Sequence, residues 1–383
     1  DQLADVTYVQ SADTLYMFHP SFAPYKLTRT ADTSWTMTAM TFTDGPFAPI
    51  NSDDSVRMRL VSMSPYTPGA TGEIRANGDI FTADMVGALV YLEEIYLDQT
   101  ETYGTYVTPW ESDHPSGTVN TQQASSNGHV YLLVGAGAGA NTGSIAPSHT
   151  DGEAFDGLSS GAYKKWRYLH SRYCVVRITA YTSASRVDVT AVSYTPNGLE
   201  QPSRTVTGAV SSGGLIELTV AAGHELQTGD YVDVASVGGT TEANGNWQIT
   251  RTAATTFTLN GSTFTNAFSS NGTVVRYSTW LWAFGAFSTE RGYPACGTFF
   301  QDRLVMASTD AQPDSGWTSI TSGYESFADK FHGVVRDDAA ISFTLASPQV
   351  NRIRWMSPDG GGLLIGTAGS EWVLRPATTS KAF

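Results

Sequence analysis

Residues 340–376 carry turn chemistry at intervals too short for any long element. Ser347-Pro348, the run Pro-Asp-Gly-Gly-Gly at 358–362, and Ala368-Gly369 are breaks with a mechanism, because Pro presets φ and Gly supplies positive φ. Between them lie 341–345 (Ile-Ser-Phe-Thr-Leu), 351–356 (Asn-Arg-Ile-Arg-Trp-Met), 362–367 (Gly-Leu-Leu-Ile-Gly-Thr) and 370–374 (Ser-Glu-Trp-Val-Leu). Four strands of this length with tight connections predict one antiparallel sheet, the blade of a β-propeller.

Parts of that pattern recur. Asp302-Arg-Leu-Val-Met and Asp13-Thr-Leu-Tyr-Met resemble Gly361-Gly-Leu-Leu-Ile, and an aromatic-bearing strand follows each, with Trp317, Tyr25 and Trp372 respectively. A degenerate, interrupted repeat of this kind is expected of propeller blades separated by insertions.

Composition agrees. Hydrophobic residues make up 41% of the 383, charged residues 15%, and no long helical period is visible, which favours an all-β class. The net charge of −14 is the wrong sign for a protein that grips nucleic acid by its phosphates, and suits a surface that nucleic acid slides past. Cys174 and Cys296 are expected as two buried thiols, with one disulfide as the other reading. No signal peptide is apparent, nor an apolar run near the ~20 residues of a membrane span. Asp1 opens the chain inside what reads as a blade, so a processed or partial piece of a longer polypeptide is expected.

Taken in order, 1–43 reads as a partial blade and 44–162 as an inserted β domain or platform, with a short helical turn at 83–86. Strands in 163–204 return to the propeller or the platform. Residues 205–277 have their own rhythm: 215–220, 231–234, 246–250 and 256–259 alternate cleanly, which predicts a small closed barrel. Residues 278–383 return to blades. The expected fold is all-β: propeller blades interrupted by an inserted β domain and a small β-barrel.

Two stretches resemble known families. The run from His224 (His-Glu-Leu-Gln-Thr-Gly-Asp-Tyr-Val), the run 237–247 ending in Trp247, and 256–262 are similar to the small β-barrel inserted in ubiquitin-activating enzymes, which phage structural proteins also carry. The adenylation machinery and catalytic cysteine of those enzymes have no counterpart here. The remainder resembles the tail nozzle (tail tubular protein B-like) proteins of short-tailed bacteriophages. The residues that carry this are 299–306 (Phe-Phe-Gln-Asp-Arg-Leu-Val-Met), 313–319 with Trp317, 324–327 (Tyr-Glu-Ser-Phe), 337–341 (Asp-Asp-Ala-Ala-Ile), 362–372 and 81–87. The resemblance implies a ring-forming subunit, usually hexameric, that sits below the portal adaptor. It implies docking of tail fibres or spikes, a channel for the ejected genome, and a place in the virion tail after assembly in the host cytoplasm. Its motifs are packing and turn residues and carry no chemistry.

Candidate reactive groups fare poorly. Gly157-Leu-Ser159-Ser-Gly spells a nucleophile elbow, but a polar loop precedes it where the elbow needs an apolar strand. His224-Glu225 lacks the second His of a zincin. The seven histidines (His19, His114, His129, His149, His170, His224 and His332) show no ligand spacing, so neither a metal nor a cofactor is expected. Asp53-Asp54, Glu93-Glu94 and Asp337-Asp338 are neighbours that a strand would point to opposite faces, and turn or edge solvation is the expected role. The glycine-rich run 135–143 lacks the Gly-Lys-Ser/Thr ending of a phosphate loop and reads as a flexible tip. Residues 164–173 interleave bases with aromatics, either to contact nucleic acid or, as favoured, to lay amphipathic stems over rings. The sequons at Asn260 and Asn271 carry no weight without a secretory context.

No catalytic, cofactor or metal residue is therefore expected. A structural tail subunit is the leading function. A propeller glycan-active enzyme or a carbohydrate-binding adhesin is the alternative, the latter suggested by nine Trp and eighteen Tyr.

Overall fold

The computed structural model describes residues 2–95, 107–111, 118–120, 122–136, 141–157, 163–222, 224–331, 334–346 and 350–375. The protein is all-β. Its helical content among the described residues is four single 3-10 turns, Gln2–Asp5, Ala83–Met85, Asn197–Leu199 and Thr241–Ala243. Among the described residues, no helix is long and apolar enough to cross a membrane. The chain forms two compact units, one of Asp1–Pro49, Thr82–Tyr91 and Ala283–Phe383, the other of Ile50–Phe81 and Leu92–Trp282. These limits cut across the five segments expected from the sequence: 44–162 is shared between the units, and 163–204 lies wholly in the second.

The first unit holds three antiparallel sheets. Thr7–Ser11, Thr14–His19, Phe22–Ala31 and Ser34–Ala39 form one in chain order. Cys296–Phe300, Arg303–Ala307, Ser315–Thr318 and Ser342–Thr344 form the second, and Ile353–Asp359, Gly362–Thr367 and Glu371–Leu374 the third. The four strands expected to make one blade over 341–374 are therefore divided: the first belongs to the preceding sheet. Gly316 shows why, since it lies opposite Phe343 in the register. The ring occupies the space a Cβ at 316 would need, so the glycine leaves room for Phe343 at this register.

The recurring sequence piece marks an equivalent place in all three sheets. Thr14–His19, Arg303–Ala307 and Gly362–Thr367 are each the second strand of their sheet. Each follows a two-residue loop, closed by Ser11 with Thr14, Phe300 with Arg303, and Asp359 with Gly362. Gln301 and Asp302 both take positive φ (49° and 56°), as the primed turns that match strand twist require.

Successive residues of a strand face opposite sides of its sheet, and in Arg303–Ala307 both sides are buried. Leu304 and Met306 join a core with Tyr16, Phe18, Phe287, Trp317 and Phe327. Val305 and Ala307 join another with Cys296, Phe300, Ile353, Met356, Leu363 and Ile365. The middle sheet is thus covered on both faces. Each such aliphatic side chain contributes about 1.5–3 kcal/mol on full burial.

In the second unit the small barrel is closed. Its order is Arg204–Ser212, Leu215–Val220, Thr256–Leu259, Gly245–Arg251, Tyr231–Ala235 and Gly272–Arg276, the last pairing back to the first. The alternation seen in the sequence is the cause: Ile216, Leu218, Val220, Val232 and Val234 point inward with Ile249, Phe257, Leu259 and Val274. An antiparallel sheet of Tyr173–Ser183, Arg186–Ala191, Thr71–Ala76 and Met58–Val61 lies in the same unit. A third sheet runs Glu153–Phe155, Lys164–His170, His129–Ala136, Gln123–Ser126 and Val107–Pro109, the last strand parallel to its neighbour.

Candidate functional site

Several of the sequence pieces singled out above meet in the first unit. Arg303, 1% exposed, aims its guanidinium at four main-chain carbonyls: Ser319 (2.9 Å), Asp337 (2.8 Å), Asp338 (3.2 Å) and Ala339 (2.6 Å). One side chain thereby ties the piece 337–341 to the piece 299–306. Asp302, in the turn before it, accepts hydrogen bonds from Ser322 and from the Tyr324 hydroxyl (2.9 Å), which hold its carboxyl below the usual range. Tyr324 packs edge-to-face with Phe299 and Tyr16 at centroid distances of 4.9 and 6.0 Å. Glu325 pairs with Lys26 at 2.9 Å and accepts the Thr41 amide at 3.0 Å. Trp317 and Phe327 fill the core beneath. This is a mechanical latch, in which Arg303 holds backbone and Asp302, Tyr324 and Glu325 hold neighbouring groups of the same unit.

A second polar centre joins the barrel to the neighbouring sheet within the second unit. Arg57 and Arg276, both buried, flank the buried Asp230 at 3.9 and 3.6 Å. Arg59 reaches Asp233 of the barrel strand at 2.7 Å, with Arg75 at 3.9 Å. Arg57 lies over Trp280 and Tyr231, and Arg276 donates twice to Gln201. The Tyr277 hydroxyl sits 2.8 Å from Asn246 and 3.2 Å from the Ala76 carbonyl. Buried charges persist only when paired and hydrogen-bonded, and here the pairing fastens one β module to another.

Among the described residues, those singled out in the sequence lie at separate places in the fold. Ser159, His114 and His332 lie outside the described residues, as do 137–140 of the glycine-rich run, whose start, Gly135 and Ala136, ends a strand. His19 and His170 accept main-chain N–H bonds two residues on, and His170 is pushed down to about 3 by burial and by Arg172. His224 packs on Phe257 and faces the Thr256 carbonyl. No group of three metal-capable side chains occurs among the described residues. Asp53 caps Ser55, and Asp337 and Asp338 serve Arg303 through their carbonyls. Asn260 accepts from Thr250 at 2.9 Å. Cys174 and Cys296 are free and buried, and burial pushes both thiols up.

Within residues 164–173, Lys165 and Arg167 take one face of the strand and Trp166 the other. Lys165 and Arg167 clamp Glu153 at 2.6 and 2.7 Å, while Trp166, fully buried, donates to Asp156 at 2.9 Å. The Lys165 and Arg167 side chains are thus engaged with a carboxylate, and the Trp166 ring turns inward.

Two features escaped the sequence reading. Glu94 is not solvated: it is buried against Arg172 (3.4 Å), and burial lifts its carboxyl to about 7. His129 and His149 meet at Tyr131, whose hydroxyl donates to the His149 carbonyl at 2.9 Å. Only the passage of the segment 141–152 over Tyr131 places them together, so no spacing rule reveals them.

No family model matches the chain, and no curated protein does. Among solved structures the chain is similar to the endosialidase of phage phi92, at 10% identity and a TM-score of 0.18, covering 94% of this chain and 49% of that one. It spans about half that structure's length, and a likeness this slight bears on neither fold nor function.

Proposed function

We propose that this chain is a structural subunit of a short-tailed phage tail nozzle, acting as a stiff building block without a reactive centre of its own. The observation that carries the reading is the Arg303 latch. The separate sequence pieces that resemble nozzle proteins interlock through Arg303, Asp302 and Tyr324, and they hold a sheet buried on both faces. Main-chain groups paired in ladders and packed on two sides resist deformation, as a conduit wall must. In the assembled tail the subunit forms a ring, taken as hexameric, that docks the portal adaptor and the fibres or spikes. The acidic balance keeps the passing genome from adhering. Negative-stain images of the purified protein, with native mass spectrometry, test this: closed rings are expected, and a monomer at every concentration would count against it.

A second reading has one observation of its own. Tyr8 and Tyr25 share a row across the first sheet through Met17, and Trp35 lies opposite Arg29, further along the same strand pair. All three rings are exposed, at 68%, 37% and 57%. Flat aromatic faces bind sugars, so this favours a carbohydrate-binding adhesin. Binding of the monomer to a glycan array, lost in Y8A/W35A, would establish that reading in place of the first.

A further inference from the structure

The five-stranded sheet of the second unit carries a titratable cluster that the scaffold reading leaves unused. Tyr131, fully buried, is bracketed by two imidazoles, His149 at 5.0 Å and His129 at 6.3 Å between ring centroids. His129 Nδ1 lies 2.9 Å from Ser171 Oγ, which lies 2.7 Å from the Tyr168 hydroxyl. His149 belongs to the segment 141–152, which contributes no strand to the sheet. That segment is held by the Tyr131 hydroxyl on the His149 carbonyl and by scattered ties. These are Thr142 to the Glu111 carbonyl, the Ile145 amide to Asp156, Asn127 to the Pro147 carbonyl and the Tyr168 amide to Gly152.

We propose that His129 and His149 make the segment 141–152 an acid-released clasp, seated on Tyr131 at neutral pH and freed when the imidazoles take up protons. The Nε2 of His149 is buried and has no partner at normal hydrogen-bond distance, so a charged ring there would be poorly satisfied. Burial lowers both imidazoles, and each added charge at His149 further opposes one at His129. Asp151 and the carbonyls of Trp166 and Gly152 favour the charged form of His149, and burial outweighs them. The other groups facing the cluster do not supply a compensating anion. Tyr131 and Tyr168 are pushed up and stay neutral, Tyr173 acting on Tyr168 in the same sense. Arg172 is bound by Glu94 and holds His170 down. Glu153 is taken by Lys165 and Arg167, and Asp156 by the Lys164 amide and the Trp166 indole.

The sign follows from linkage. The seated form binds fewer protons than the released form below the ordinary histidine value of about 6.5. Release therefore gains up to about tenfold per histidine for each pH unit below it, until the seated form itself protonates.

Hydrogen exchange on the whole chain, corrected for the intrinsic rate, reads this at the Ile145 and Tyr168 amides. Protection at pH 7.5 is expected to fall by about tenfold or more at pH 5.5, while barrel amides in 204–276 keep theirs. H129Q/H149Q is expected to abolish the step. Equal protection at both pH values, or a step that survives in the double variant, overturns the proposal. Imidazole NMR titration of the unaltered protein is an independent check: both rings titrating below about 6.5 supports it, and either at or above overturns it.

Discussion

Arg303 donates to the carbonyl of Ala339 across 2.6 Å from a side chain almost wholly removed from water. Three more carbonyls, those of Ser319, Asp337 and Asp338, share the same cation. The excursion after Ser315–Thr318 is thereby brought back to the sheet edge, where Ser342–Thr344 pairs. R303M removes every one of these donors, and a buried carbonyl left unpaired costs about 1–3 kcal/mol. We expect the variant to lose about 3 kcal/mol or more of unfolding free energy, with exchange protection lost first in Ser342–Thr344. A loss below about 0.5 kcal/mol in denaturant titration would show that the latch is dispensable.

Gly316 and Phe343 are matched as seat and ring, and G316A places a methyl where the ring lies. Overpacking of this kind costs about 1–3 kcal/mol. Shrinking the ring in G316A/F343L should recover part of the loss, with a coupling of about 1 kcal/mol in the double-mutant cycle. Strict additivity would mean that other contacts set the register.

What the sequence made legible was local. In Leu215–Val220 the inward Ile216, Leu218 and Val220 alternate with outward Glu217 and Thr219, and that alternation alone specifies a barrel strand. The two-residue loops before Thr14, Arg303 and Gly362 announce equivalent strands because a hairpin turn is written in adjacent residues. Sheet membership was hidden. Ser342–Thr344 could end one sheet or begin the next on its own pattern, and Gly316 and Arg303, far upstream, decide between them. Glu94 looked like one of two solvated neighbours, yet its environment is set by Arg172 at a distance of 78 residues along the chain. His129 and His149 meet for the same non-local reason.

The ion pair of Arg59 with Asp233 fastens the barrel to its neighbouring sheet at 2.7 Å, with the Arg59 side chain 6% exposed and that of Asp233 21%. Breaking one half of such a pair strands the other charge, whereas removing both halves does not. R59M is expected to cost about 2 kcal/mol, tempered because Arg75 still approaches Asp233 at 3.9 Å. R59M/D233V should recover half or more of that loss in thermal or chemical denaturation. A double variant weaker than the single would mean that the aspartate makes a separate contribution of its own.

Glu94 gives the second unit a pH dependence of the opposite sign to the histidine clasp. Its carboxyl rises from 4.5 to about 7 in the folded chain because burial outweighs the attraction of Arg172. Between those two values the folded state holds a proton that the unfolded state has released, so stability falls as pH rises through the window and levels off above it. A shift of this size corresponds to roughly 3 kcal/mol across the window, as an order of magnitude. E94Q keeps the shape and cannot titrate, so its stability should run flatter than that of the unaltered chain from pH 5 to 7.5, the two curves diverging most at the alkaline end. Urea titrations at closely spaced pH values measure this directly, and parallel curves for the two proteins would place the ionised carboxylate in comfortable contact with Arg172 after all.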